Sequence, residues 1–409
     1  MFSTLFSLRK RSRRTRRTPS PWSGEQLEVR SMLDSSGLIS GVDATWSISF
    51  VPDGANIAGE PNVLAAKFEP LGDWQATIVE AFQTWALHTR ADVGIVSDSG
   101  DAFGVPGASH GDNRFGDIRV GARPLDSGVA AISVPSNRLG SSTWLRDVVF
   151  NSDFNFTSLD DVFAVALHEA GNVYGLEDSD DPNSPLHPGE VPIVRQPTST
   201  DIQNLQTLHG SRPVDPYESP TEHPSGTGNN DTLDTATRIE FDSYPDLDEG
   251  SAPILLYGDI TTPEDVDSFH FKIPGDYHGE VTVRVRTDGF SALAPSVQVF
   301  DNARSLVTSQ SSSLGLGNDL VLNLPLVQHD QTYYVQIAGA TDNAFGIGGY
   351  SLAVSLDQRD TSDESRVLEL TDGRYHFLST EDLHSLLVNE TDFLRKDDGS
   401  DDELDSATE

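Results

Sequence analysis

Cysteine is absent from the 409 residues, which removes disulfides, thiolate zinc ligands and cysteine nucleophiles together. Any metal must therefore be held by nitrogen and oxygen. Positive charge is scarce: 27 Lys and Arg face 64 Asp and Glu, for a net charge of −37. The imbalance is uneven, because residues 1–30 hold eight Lys or Arg against two Glu, leaving −37 − 6 = −43 for the remainder. So acidic a body repels phosphate backbones and anionic lipid, which argues against nucleic-acid or membrane-surface binding by the folded part. Long apolar runs are also missing: nothing approaches the roughly 20 residues of a membrane-spanning helix, so no membrane span is expected.

What is present is length enough for two domains and tails. Residues 1–42 form a basic leader, expected to be disordered, with RKRSRRTRR at 9–17, a Pro/Ser spacer and LEVRSML at 27–33. It resembles the Arg-rich leader with a Leu-Glu-x-Arg element of many exported bacterial proteins, which implies an extracellular or cell-surface location. No apolar run of about 7 to 15 residues follows the arginines, so a plain basic arm is the alternative reading.

Globular patterning begins near residue 43. WSISFVP alternates like a strand, and Trp74, Ile78, Phe82 and Trp85 recur at helical spacing. GDIRVGA (116–122), GVAAISVPS (128–136) and VVFNS (148–152) read as strands. Ser158 and Asp161 stand at capping-box spacing before the apolar run FAVALHEA. Ile202, Leu205 and Leu208 make a closing helical stripe, with Gly210 as its C-cap. RPVDPYESPTEHPSGTGNN then reads as a linker, covering 213–230.

The chemistry is concentrated in ALHEAGNVYGLEDSDDPNSPLHP, residues 166–188. This stretch resembles the active site of matrixins, metzincin-clan zinc metallopeptidases whose pattern is HExxHxxGxxH followed by a Met-turn. Ligands at i and i+4 share one helical face, a glycine turns the chain, and a third ligand returns to complete the site. The resemblance makes His168 the first metal ligand, Glu169 the general base and Gly175 the turn glycine. It also places Asn172 at the second ligand position, Asp178 at the third and Leu186 at the Met-turn methionine. Asp178 offers an ordinary carboxylate ligand, whereas the neutral amide of Asn172 is a weak donor to zinc and suits harder cations. His187, next to Leu186, is a candidate substitute ligand. Five segments between 43 and 212 stand in matrixin order, implying an α+β metzincin-like catalytic domain with a mixed sheet and an active-site helix. A structural zinc is not expected, since His110 is the sole histidine near Asp112. The acidic loops 112–117 and 177–181 are calcium candidates.

Residues 231–357 are short alternating segments separated by turns, which predict an all-β sandwich. NNDTLDTATRI, GDITTPEDVDSFHFKIP and TYYVQIAG with GGYSLAV resemble the bacterial pre-peptidase C-terminal domain. Tyr333, Tyr334 and Tyr350 are either core residues or a binding surface. The acidic tail, 358–409, is expected to be mostly disordered, with one helical candidate at 381–388.

These readings imply a secreted metalloendopeptidase acting on extended polypeptide, with zinc as cofactor. The alternative is a pseudopeptidase, retained as an extracellular binding or surface module. A third reading is an adhesin whose sandwich binds an extracellular polymer.

Overall fold

The computed structural model describes residues 46–356 apart from 90, 135–142, 190–193, 216, 219–228, 242–253, 276, 278, 325–326 and 328–329. The basic leader, the acidic tail and the helical candidate within it lie outside the described residues, as does most of the linker. The chain is mixed α/β, with few helices and several sheets.

The first half runs β1 (Trp46–Phe50), β2 (Asn56–Ile57), β3 (Glu60–Pro61), α1 (Leu64–Phe68), α2 (Trp74–Ala86), β4 (Val93–Ile95), β5 (Ile118–Arg123), β6 (Ala131–Ser133), β7 (Val148–Asn151), α3 (Leu159–Val173) and α4 (Ser199–His209). Its main sheet has the order β4-β1-β5-β7-β6. The pairs β1/β4, β1/β5 and β5/β7 are parallel, while β6 joins the edge antiparallel to β7. Apolar residues of α2 at helical spacing, Trp74, Ile78, Phe82 and Trp85, are all buried.

Helix α3 starts at a capping box: Ser158 Oγ accepts from the Asp161 N–H at 3.3 Å, and the Asp161 carboxylate accepts from the Ser158 N–H at 3.1 Å. Against α2 it packs closely enough that Trp85 Nε1 donates to the Leu167 carbonyl at 2.8 Å. Gly171 permits this approach, because a Cβ there would meet Leu186 Cδ2 at 2.6 Å and Trp85 Cζ2 at 2.9 Å.

Two expectations need adjustment. Among the described residues of the 128–136 segment, strand β6 covers Ala131–Ser133, since Gly128 adopts φ 90° and keeps the chain turning before Ala131; 135 and 136 lie outside the described residues. In α4, Leu205 is buried, but Leu208 is 42% exposed. Leu208 lines a cavity beneath the Gly175 turn instead of joining the core.

The second half contains β8 (Thr237–Ile239), β9 (Ile254–Ile260), β10 (Val266–Lys272), β11 (Val281–Arg286), β12 (Pro295–Phe300), β13 (Leu306–Ser311), β14 (Asp319–Leu324), β15 (Thr332–Gly339) and β16 (Gly348–Ser355). They form two sheets, ordered β13-β12-β15-β10-β8 and β14-β11-β16-β9, as a sandwich requires. Alternation is plain in β14, where every second residue is buried. Strands β8 and β13 escape pattern reading because one is three residues long and the other is largely polar and exposed. Tyr333 and Tyr350 are core residues and Tyr334 is half-buried.

All described residues belong to one compact unit. Ala292, Ala294 and Phe345 of the sandwich pack into the core of the first half, and Gln83 Nε2 donates to the Ile347 carbonyl at 2.8 Å. The edge strand β4 meets sandwich backbone so closely that a Cβ on Gly94 would lie 2.1 Å from the Gly289 carbonyl carbon. Gly94→Ala is therefore expected to wedge the halves apart at a cost of about 1–3 kcal/mol, as overpacking does elsewhere. Urea unfolding of the full chain measures it, and unchanged stability contradicts the contact.

Candidate metal centres

The end of α3 sets the geometry of the first site. Gly175 adopts φ 91°, its N–H bonds the Asn172 carbonyl at 3.0 Å, and the Leu176 N–H bonds the Gly171 carbonyl at 3.0 Å. This pair of bonds is the Schellman arrangement, which needs a left-handed residue just past the helix and so selects glycine. The chain doubles back and carries Asp178 toward His168. Leu186 is buried below, against the gap left by Gly171.

His168, Glu169, Asp178 and His187 line one cavity of about 430 Å³, with Val129, Ala130 and Ala131 along its opposite side. His168 Nδ1 lies 3.0 Å from the Pro185 carbonyl, so that nitrogen carries a proton, and in the neutral ring Nε2 is the one that offers a lone pair. Nε2 stands 3.7 Å from Asp178 Oδ1. His187 repeats the arrangement, with Nδ1 3.0 Å from the Ser179 carbonyl. Both imidazoles are thus oriented by backbone oxygens, as metal-binding histidines commonly are. Glu169 is buried, and burial raises its carboxyl pKa against the opposing pull of a Ser133 hydrogen bond and His168. A carboxyl shifted in this direction holds a proton more readily than a solvated one. Asn172 is half-buried and is not among the residues lining this cavity.

The acidic loop 112–117 already has cationic partners. Arg114 holds Asp112 at 2.7 Å and Asp101 at 3.3 Å, and His110 holds Asp117 at 3.2 Å. Beside them the buried Arg119 holds Asp98 at 2.8 Å and donates to the carbonyl of Asp101 at 2.7 Å. In the loop 177–181, Asp181 Oδ1 accepts from the backbone and side-chain amides of Asn183.

A different acidic cluster has the character of a cation site. One carboxylate oxygen each from Glu218, Asp231 and Asp265 lies within 4.8 Å of the others. Around it, Asn230 Oδ1, Asp231 Oδ1 and Asp265 Oδ1 are buried without a hydrogen-bond partner among the described residues. Buried, unpaired oxygens of this kind are costly unless a cation meets them. These ligand candidates sit in three separate segments, without a motif spacing that sequence reasoning would detect. The available signal was the run of acids in PEDVD.

Burial, then Asp265 and Asp231, raises the Glu218 carboxyl from 4.5 to about 6. Asp265 is raised as well, chiefly by burial. The native state then retains protons that the unfolded chain releases, so stability falls as pH rises from about 4.5 through about 6. In chelator, the full chain should melt at a lower temperature at pH 7 than at pH 5, and Glu218→Gln should reduce the difference. A melting temperature that climbs over this interval would contradict the assignment.

No family model matches the chain. Human matrix metalloproteinase-25 is 42% identical over 66 residues, which are 15% of this chain and 12% of that protein. The matched stretch thus spans about an eighth of its length. Among solved structures, the pre-peptidase C-terminal domain of collagenase from Bacillus anthracis aligns with 29% of this chain and 94% of its own, at 13% identity and a TM-score of 0.21. The chain therefore has a short segment similar to a matrix metalloproteinase, a peptidase-like feature in a mixed α/β protein.

Proposed function

We propose that the protein is an exported, matrixin-like metalloendopeptidase with an altered ligand set, in which His168, Asp178 and His187 hold the metal and Glu169 is the general base. The observation that carries this reading is that those four side chains line one cavity, with His168 Nε2 3.7 Å from Asp178 Oδ1; His187 must move in to complete the set. Their donor chemistry fits zinc, since two neutral imidazoles and a carboxylate make an ordinary three-ligand set. When bound, the metal supplies a Lewis acid that polarises the scissile carbonyl and activates water. Glu169 takes the proton of the attacking water and passes it to the leaving amine. Its burial keeps the carboxylate from being fully solvated, which strengthens it as a base. An extended polypeptide fits beside the edge strand β6, where Ala131 faces the cavity.

In this reading Asn172, which does not line the cavity, is not a ligand. A pseudopeptidase is the second reading, favoured by the neutral amide at position 172 and by the 59% exposure of the Asp178 side chain. We further assign the Glu218, Asp231 and Asp265 cluster to a hard divalent cation of the calcium class, for which all-oxygen ligands are suited.

Metal analysis and casein cleavage by the purified full chain separate the two readings of the first site. The peptidase reading expects about one zinc per chain and hydrolysis that Glu169→Gln lowers roughly 10²- to 10⁴-fold with zinc retained. His187→Ala should release the zinc. Protein without zinc or cleavage, in which Asn172→His together with Asp178→His restores both, would establish the pseudopeptidase instead.

A further inference from the structure

A second cavity, of about 210 Å³, opens where the first half meets the sandwich. Glu80 and Leu87 of α2, Phe163 of α3 and Arg195 line it from the first half, and Asp342 and Ile347 from the sandwich. It is separate from the metal cavity. Phe163 lines it, whereas Ala164 and Val165, the next residues of α3, line the cavity of His168 and Glu169. At 3.6 residues per turn, Phe163 and His168 project from roughly opposite sides of the helix.

The sandwich wall of this cavity is held by its own bonds. Asn343 Oδ1 accepts from the Phe345 N–H at 3.1 Å and from Thr341 Oγ1 at 2.8 Å. The Asn343 amide nitrogen is thereby left facing Glu80 Oε1, at 3.4 Å. Gln83, three residues after Glu80 on α2, donates to the Ile347 carbonyl at 2.8 Å and fixes the same loop to the helix. Charge in the cavity is unbalanced. Its guanidinium, Arg195, pairs with Asp160 and lies 5.1 Å over the Phe163 ring. Glu80 and Asp342 form no ion pair among the described residues. Glu80 is half-buried, and burial raises its carboxyl pKa against the pull of Arg195 and Asn343.

We propose that this cavity is a second peptide-binding site, which takes the arginine or lysine side chain of a polypeptide whose scissile segment lies in the metal cavity. The identity of that polypeptide as substrate rests on the peptidase reading, and the site goes beyond it by giving the sandwich a part in substrate choice. The aliphatic stem of such a side chain covers Leu87, Phe163 and Ile347, while its charged head meets Glu80 and Asp342. A carboxylate withdrawn from water gains more from an arriving cation than a solvated one does. An anionic ligand would meet two carboxylates and a guanidinium that is already paired. Because the walls come from both halves, neither half forms the site alone.

The probe is Nα-acetyl-arginine amide, titrated into the full chain by calorimetry, with Nα-acetyl-citrulline amide as its uncharged match. The expected result is saturable binding of the arginine probe alone, weakened roughly tenfold in Glu80→Gln and in Asp342→Asn, both checked for folding by circular dichroism. Arg195→Ala should tighten binding by removing a competing charge. Saturating probe should raise the KM for casein with kcat unchanged, and should leave cleavage of a short peptide without Arg or Lys unaffected. No binding of the arginine probe, equal binding of the two probes, or affinity unchanged in both carboxylate variants overturns the site. Weaker binding in Arg195→Ala overturns it in favour of an anion. Probe binding that leaves the casein KM unmoved overturns the anchoring of substrate. A chain that binds the probe and cleaves nothing keeps the site, as a docking point for a basic polypeptide, and overturns the peptidase reading alone.

Discussion

The placement of α3 governs the first half of the molecule. Its line of contact with α2 is fixed by one bond from an indole N–H to the carbonyl immediately before His168, and by a glycine whose missing side chain is filled by Leu186 and Trp85. A helix held at that separation cannot rotate without opening a void or stranding a buried donor, and both are costly. Its orientation then decides that Glu169 is buried while His168 reaches the cavity. The Schellman turn at Gly175 returns the chain so that Asp178 arrives beside His168. Site geometry thus follows from backbone packing more than from attraction among the side chains that form it.

Charge is organised on a second principle. Carboxylates drawn into or near the interior need a hydrogen-bonding or cationic partner. Guanidinium groups fill that role repeatedly: Arg114 between Asp101 and Asp112, Arg119 with Asp98, and Arg212 between Asp92 and Asp259. Arginine suits these positions because its planar fork meets two acceptors and its charge survives burial. At Glu218, Asp231 and Asp265 no guanidinium intervenes among the described residues, and the unpaired oxygens remain. The contrast separates loops closed by the protein's own cations from the cluster that invites an external one.

Local and periodic features were legible in the amino-acid order. The stripe of α2, the capping box of α3, the turn at Gly175 and the main sandwich strands depend on residues a few positions apart, and each formed as patterning requires. The clustering of chemistry near residue 168 was legible for the same reason, since His168, Glu169 and Asp178 occupy one helix and its following turn. By contrast, the exposure of Leu208 depends on a cavity that sequence spacing does not register. Strand β13 lacked an alternating apolar face from which it might have been recognised.

The sequence by itself determined the longer helices and the main strands, because hydrophobic period, caps and turn residues act over a single turn of backbone. It also determined that any metal would meet only nitrogen and oxygen. Tertiary structure alone decided that His187, and not Asn172, lines the cavity with His168, and that Asp92 and Asp259 share one guanidinium across a chain separation of more than a hundred residues. It alone brought Glu218, Asp231 and Asp265 together. Such encounters depend on how finished elements pack, and no periodicity along the chain encodes them.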